Sequence, residues 1–274
     1  FTDFVLVDTR TGEFFTNKCL TTPDDPSDAV EQGIKELLAI KPGFLDQVGD
    51  VIHGTTLVIN AIIERKGAKT GLITTKGFRD VLELGREIRY DAYDIFSQYP
   101  EPIVPRELRK EIDERVTADG RVLKSVDENE AKALVADFRK QGIASLAVCC
   151  INSYENPVNE QALQRIIQAA APDLSTSYSF EVLPQIREYE RTCTTAVNAY
   201  VKPVTFQYLE RLTQRLADLG FGGRLYIMLS SGSITSVDTA RKFPVRIIES
   251  GPTAAVIASQ HYGKMFDIKD MFCF

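Results

Sequence analysis

The sequence is short of the residues that mark secreted, metal-bound or membrane-inserted proteins. It has five cysteines, Cys19, Cys149, Cys150, Cys193 and Cys273, and two histidines, His53 and His261. An odd number of thiols at irregular spacing is not a disulfide framework. With no C-x-x-C pair, a structural zinc site is not expected either. Reduced thiols and a cytoplasmic location are the expectation. No apolar run approaches the roughly 18 residues that cross a bilayer, and the longest, Ala144 to Ile151, has the length of one buried strand. The opening residues FTDFVLVDTR lack a basic segment leading into an apolar one, which argues against a secretory signal. There is no N-x-S/T acceptor. Positive charge is in deficit: 32 Lys and Arg against 38 Asp and Glu leave a net charge of −6. That balance excludes a general nucleic-acid binder, which needs a concentrated basic face. The basic run Arg106 to Lys110 is broken by Glu107 and reads as a solvated helix face. Also missing are the P-loop pattern, G-x-G-x-x-G, and any Ser-His-Asp or Cys-His arrangement.

What is present is an ordinary globular mixture, 44% hydrophobic and 26% charged over 274 residues, enough for one large or two ordinary domains. Strand-like and helix-like segments alternate, which indicates an α/β class. Residues 3–8 and 13–20 read as a hairpin joined by T-R-T-G. Residues 21–40 hold turn signals and then Val30, Ile34, Leu37 and Leu38 at helical spacing. Residues 46–56 read as a strand, 57–67 as a helix ending on Gly67 as its C′ residue, 68–75 as a strand and 77–87 as a helix. Residues 88–109 are aromatic, proline-rich and without period, the mark of a functional loop or an excursion. A hairpin around Asp119-Gly120, a helix at 128–141, the strand ASLAVCCI and a helix at 157–170 follow. Cys149 and Cys150, adjacent in that strand, are expected on opposite faces. Then come a strand at 176–180, two helices within 183–220 divided near Pro203, a strand at 224–229, and a Gly-Pro turn into a helix within 245–263. DMFCF at 270–274 reads as the start of another strand. Both ends thus read as strand interiors, so a fragment of a longer polypeptide is expected.

Three strand-to-helix junctions carry small donors. His53-Gly54-Thr55-Thr56 is the first; a hydroxyl capping the following helix would gather N–H groups and dipole for an anion. A polar pocket for a phosphate or carbonyl is one reading. A capped helix with a histidine bonded into the turn is the other. Ser230-Ser231-Gly232-Ser233 is the second junction. The third is Glu249-Ser250-Gly251-Pro252-Thr253, where Pro252 suits the first helical position. Each is explained equally well as a plain joint, but three together favour a nucleotide or anion site. Asp3 could hold Mg²⁺ through water. Arg187 with Arg191, and Thr194 with Asn198, are i,i+4 pairs that also fit a salt-bridged helix surface. Tyr90, Tyr93, Phe96 and Tyr99 could shape a pocket or simply pack a long loop.

Three longer stretches carry a resemblance. HGTTLVINAIIERKGAKTGLITTKGFRDVLELGRE, EVLPQIREYERTCTTAVNAYVKPV and SSGSITSVDTARKFPVRIIESGPTAAV resemble the hydantoinase A, 5-oxoprolinase and acetone/acetophenone carboxylase family, end to end. One departure is Gly232-Ser233, where that family usually has Gly-Gly. The resemblance implies the fold of the actin, heat-shock chaperone and sugar-kinase ATPases, with ribonuclease-H-like lobes, and a division into residues 1–175 and 176–274. It implies a D-x-G-G-T-F-T-D phosphate loop of which Phe1-Thr2-Asp3 remains, and a second glycine loop after a strand like DMFCF. It implies ATP, Mg²⁺, a small-molecule substrate, an oligomer and a hydantoinase B-type partner. The chemistry implied is phosphorylation of a carbonyl oxygen for hydrolysis of a cyclic amide. Alternatives are a ketone carboxylase subunit, a non-catalytic assembly subunit and a small-molecule kinase. On this basis His53, Thr55 and Thr56 are the expected catalytic residues. Thr2, Asp3, Ser231, Gly232, Gly251, Pro252 and Thr253 are expected at the nucleotide, with Asp3 also at the metal. Asn60, Arg86 and Arg187 are expected in the substrate pocket.

Overall fold

The computed structural model describes residues 1–22, 25–86, 91, 93–96 and 99–272. Along the chain run β1 (Thr2–Val7), β2 (Phe14–Cys19), α1 (Pro26–Ile40), β3 (Asp50–His53), α2 (Leu57–Ile63), β4 (Thr70–Thr75) and α3 (Val81–Leu84). Then come β5 (Arg109–Ile112), β6 (Arg115–Val116), β7 (Val122–Lys124), α4 (Glu128–Lys140), β8 (Ser145–Cys149), α5 (Val158–Ala170), β9 (Ser175–Tyr178) and α6 (Ser179–Val182). The last elements are α7 (Glu188–Asp218), β10 (Arg224–Met228), β11 (Ile234–Ser236), α8 (Val237–Lys242) and α9 (Ser250–Met265). They divide into two compact units. The first is Phe1–Val58, Val204–Lys242 and Arg246–Phe274; the second is Ile59–Pro203 with Phe243–Val245.

In the first unit β1 and β2 form the expected antiparallel hairpin, and period-2 burial places Thr2, Phe4 and Leu6 inward and Asp3, Val5 and Val7 outward. α1 starts where its residues dictate: the Asp25 carboxylate accepts from Ser27 N at 3.1 Å, and Pro26 opens the helix without losing a bond. Its apolar stripe buries Ala29, Val30, Ile34 and Leu37. Arg211 and Arg215 from the later half of α7 clamp this end, Arg211 Nε lying 3.1 Å from Asp25 while Arg215 reaches Asp25, Asp28 and Glu31. The second sheet of this unit has the order β11-β10-β3, with β10 parallel to β3 and antiparallel to β11.

The second unit is built on a four-stranded parallel sheet, β5-β4-β8-β9. Its central strands TGLITT and SLAVC are buried at every position, as parallel strands covered on both faces must be. Leu72, Ile73, Ile112, Phe138, Leu146, Val148, Leu163 and Ile167 make its core. Cys149 ends β8 and both it and Cys150 are buried.

Several elements differ from expectation. The helix expected over 77–87 is only the single turn α3 among the described residues, because Gly77 and Gly85 both take positive φ and bound it. Segment 183–220, which starts just after α6, holds one helix of 31 residues that passes through Pro203. Proline removes one backbone bond, but burial of Ala199, Val201, Thr205 and Tyr208 around it holds the helix together. α2 stops at Ile63, with Arg65 in the left-handed region at φ 55° and Lys66 N bonded to Ala61 O at 2.9 Å. This is a helix stop with arginine, not Gly67, at C′. Gly67 is needed for a different reason, since a Cβ on it would overlap the Tyr200 ring. Ala68 N then bonds Tyr200 O at 2.9 Å. No strand covers 270–272; the rest of DMFCF, and Arg89 and Tyr90 of the aromatic segment, lie outside the described residues. Among the described residues no helix is long and apolar enough to cross a membrane.

Gly67→Ala is expected to destabilise the protein by about 1–3 kcal/mol, the usual range for forcing volume into a packed site. Chemical denaturation measures it, and an unchanged midpoint would mean that Tyr200 moves aside freely.

Candidate functional site

Parallel pairing of Arg224 with Asp50 through Ile227 with His53 sets the carboxyl ends of β3 and β10 side by side. In open α/β sheets, ligands collect at such strand ends. The chain leaves β3 through Gly54-Thr55-Thr56. It leaves β10 through Ser230-Ser231-Gly232-Ser233, which turns into β11; α8 begins only at Val237. This second junction is therefore a hairpin turn and not a strand-to-helix joint. Gly232 at φ 84° makes the turn possible, Gly232 N bonds Leu229 O at 3.0 Å, and Leu229 N bonds Ser233 O at 2.8 Å. The third segment enters α9, with Ser250 as its first residue and Pro252 as its third.

The structure joins the three segments directly. Ser250 Oγ donates to Thr55 O at 3.0 Å. Thr253 Oγ1 donates to Ser230 O at 2.9 Å, and Glu249 N donates to Ser230 Oγ at 3.0 Å. A Cβ on Gly251 would lie 3.1 Å from Thr56 Cγ2, and one on Gly232 would lie 3.0 Å from Ile257 Cδ1. Either Cβ would make its neighbour shift by a few tenths of an ångström, and Gly232 is favoured in addition by its positive φ. Ser231 and Ser233 are exposed and share a 2.7 Å hydrogen bond between their hydroxyls. Gly54, Thr56, Ser231, Ser233, Glu249 and Pro252 are the exposed members of the corner.

His53 is held from behind. Its Nε2 lies 2.7 Å from the Tyr208 hydroxyl, with ring centroids 5.7 Å apart and planes tilted by 39°. Burial pushes the imidazole down to about 4, so it is neutral at physiological pH. Burial also raises the Tyr208 phenol, opposed in part by a hydrogen bond from the Thr55 side chain. Thr55 Oγ1 accepts from Leu57 N at 3.2 Å, so the first free amide of α2 is already engaged. Sequence spacing picks out His53 and Thr55 but not Tyr208, which lies 155 residues away on α7.

The remaining expected residues lie apart from this corner in sequence and element. Thr2 and Asp3 are on the β1–β2 hairpin, where Thr2 Oγ1 shares a hydrogen bond with Thr21 Oγ1 at 2.9 Å and exposed Asp3 pairs with Lys18 at 3.1 Å. Asn60 is exposed on the part of α2 that belongs to the second unit. Arg86, in the same unit, forms a salt bridge with Glu190 of α7. Arg187 is exposed and left-handed at φ 84°, just before α7. Among the described residues no group of three His, Cys, Asp or Glu could hold a metal ion.

Sequence reading also missed a buried polar cluster at the carboxyl edge of the parallel sheet. Glu160 accepts from Cys150 N at 2.7 Å, Phe180 N at 3.0 Å and the Ser179 hydroxyl. Glu114 accepts from Thr75 Oγ1 and from Asn159 Nδ2 at 2.6 Å. Buried Arg191 donates to Cys150 O at 2.8 Å and lies over the Tyr154 ring. Burial raises both carboxyls above their ordinary range. Apart from Arg191 Nε, which is buried without a hydrogen-bond partner, these groups satisfy one another at the sheet edge.

Comparison with known proteins adds a further set of findings. Residues 1–171 match the family model described as hydantoinase/oxoprolinase N-terminal region, and residues 191–274 match the model described as hydantoinase/oxoprolinase. The chain is 35% identical to the caprolactamase subunit alpha of Pseudomonas jessenii, over 99% of its own length and 40% of that protein's. It is 27% identical to the acetophenone carboxylase gamma subunit of Aromatoleum aromaticum, over 99% of its length and 39% of the relative's. The crystal structure of the ATP-dependent caprolactamase from Pseudomonas jessenii superposes with a TM-score of 0.86 at 33% identity, covering 97% of this chain and 39% of that one. The chain thus spans about two fifths of the length of these relatives. The mixed α/β architecture is that of the actin-like ATPases.

The state of His53 gives a measurable pH dependence. The folded imidazole, at about 4, binds protons less well than the unfolded one near 6.5. Between those values the unfolded chain takes up more protons, so this contribution to stability is fully present above pH 6.5 and is lost as the pH falls towards 4. His53→Gln is expected to flatten that part of the stability curve. Equal slopes for both proteins between pH 6.5 and 4 would show that His53 titrates normally in the fold.

Proposed function

Because the chain belongs to the hydantoinase/oxoprolinase family, we propose that it forms part of an ATP-dependent subunit that activates the carbonyl of a cyclic amide for hydrolysis. The observation that carries this reading is a neutral imidazole fixed at a corner where three hydroxyl-bearing segments meet, on the carboxyl ends of two parallel strands. Resonance makes an amide a poor electrophile. ATP would supply its γ-phosphoryl group to the amide oxygen and leave as ADP; one water would add at the carbon, the ring nitrogen would depart as the protonated amine, and a second water would split the resulting acyl phosphate into carboxylate and inorganic phosphate. Such transfer asks the protein mainly for positioning and for charge stabilisation.

In this reading His53 and Thr56 face the reacting groups, and Thr55 contributes through the Tyr208 phenol that His53 contacts. Ser231, Gly232, Gly251, Pro252 and Thr253 lie along the nucleotide. The left-handed turn at Gly232 and the N-terminal end of α9 fit that use, since both are backbone features that accept a close anion. Thr2 and Asp3 belong to the phosphate side, with Asp3 oriented towards Mg²⁺ in exchange for Lys18. Asn60, Arg86 and Arg187 belong to the substrate. Two relatives are named as subunits, which supports assembly with a partner subunit; in this reading that partner is of the hydantoinase B type and the assembly is cytoplasmic. The 27% identity to an acetophenone carboxylase subunit supports a second reading, in which an enolised ketone receives the phosphoryl group and is then carboxylated.

Phosphate release by the full polypeptide that its gene encodes, with its partner subunit, ATP and Mg²⁺, decides between them. Release with a cyclic amide alone is the expected result. Release that needs a ketone and places bicarbonate carbon in the product selects the carboxylase. Silence with both, while ATP still binds, overturns both. His53→Gln is expected to lower kcat on the order of a hundredfold, the usual loss for one preorganised donor at a developing charge.

A further inference from the structure

We infer that Tyr208 is a positioning residue: it holds His53 in the neutral tautomer protonated on Nδ1, so that the imidazole meets the reacting groups as a hydrogen-bond donor and not as a base. The direction of the hydrogen bonds follows from where their chain begins. A backbone N–H can only donate, and Leu57 N donates to Thr55 Oγ1 at 3.2 Å. That hydroxyl, with an incoming proton on one lone pair, still has its own proton to give, and the Thr55 side chain favours the charged form of the Tyr208 phenol, as a donor to that oxygen does. Tyr208, receiving a proton in turn, directs its own to the partner at 2.7 Å, His53 Nε2. A neutral imidazole carries one proton and one lone pair. With the lone pair of Nε2 occupied by the phenol, the ring proton is on Nδ1.

Burial reinforces this order. Tyr208 is 2% exposed, and an imidazolium there would lose hydration without gaining a counter-charge, in line with the lowered affinity of His53 for a second proton. Thr55 and Tyr208 thus act through His53 and need not touch substrate. A neutral N–H donor suits the oxygens of a phosphoryl group in transfer, because it stabilises charge without itself changing protonation. This last step rests on the proposed phosphoryl-transfer reading; the tautomer does not.

The tautomer is read directly from imidazole nitrogen and proton shifts in the ¹⁵N-labelled chain at pH 7, with His261→Gln removing the only other histidine. Protonated Nδ1 and unprotonated Nε2 are expected. Tyr208→Phe keeps the ring, removes the hydroxyl, and is expected to move the tautomer ratio about fivefold towards Nε2–H, the equivalent of one ordinary hydrogen bond. Thr55→Val is expected to move it in the same direction, with Thr55→Ser restoring it; this pair serves if Tyr208→Phe does not fold. A proton on Nε2 in the unmodified chain, or a ratio unaffected by variants that retain the fold, overturns the inference. In the full polypeptide Tyr208→Phe is expected to lower kcat roughly 10- to 100-fold with KM unchanged, as for other partners that orient a histidine. A shifted tautomer with unchanged turnover would overturn the functional use of His53 and leave the positioning intact.

Discussion

The parallel pairing of β3 with β10 is the constraint on which the candidate site depends. Only four residues of β3 take part, and their partners stand more than 170 positions later, beginning with Asp50 opposite Arg224. The pair is fixed at its entrance by Arg224 Nε and Nη2 on the Asp50 carboxylate, at 2.8 and 3.2 Å. That ion pair is exposed and contributes little by itself. What it marks is register. A slip by one residue would turn every side chain of the strand to the other face, and His53 would leave Tyr208.

From this register follows the packing of the corner. Once His53 stands beside Ile227, the turn after β10 lies next to the exit from β3, and α9 must start where both can reach it. Ser230, Ser250 and Thr253 then engage backbone groups of the neighbouring segments through their hydroxyls. The small residues at these junctions therefore serve two ends. They fill backbone hydrogen bonds, and they keep side-chain bulk away from the edge on which Gly54, Thr56 and Ser231 remain open. The bland and the functional reading of such residues are not exclusive here.

Much of the fold was legible in the sequence, for reasons that particular residues make plain. Asp25 with Pro26, and Asp127 before Glu128, announce helices because capping is a local matter. The buried strand Ser145–Cys149 declares itself as a short, mostly apolar run, and Thr70–Thr75 as a short stretch rich in β-branched residues. Pro203 misled because proline's cost is local while the burial that outweighs it is tertiary. Gly67 misled because a glycine can serve a helix stop or a close ring contact, and only the structure distinguishes them. Of the candidate site, His53 and Thr55 were legible as a polar interruption between strand and helix. Tyr208 was not, since YLERL in the middle of a helix has no feature that pairs it with a histidine so far back. The cluster of Glu114, Glu160 and Arg191 was hidden for the same reason.

The long interval inside the β3–β10 pair also bears on how the chain is made. At ribosomal rates of 5–20 residues per second, the stretch between His53 and Arg224 takes roughly ten to thirty seconds to synthesise. Throughout that time β3 has no sheet partner, whereas the parallel sheet of the second unit, complete by Tyr178, has all of its strands already emerging. The parallel sheet of the inserted unit thus has all its strands before the β3–β10 pair of the unit that surrounds it in sequence can form. An unpaired strand edge of this kind is a template for pairing with other chains, so how long β3 stays open to such pairing is set by the order of the elements along the messenger.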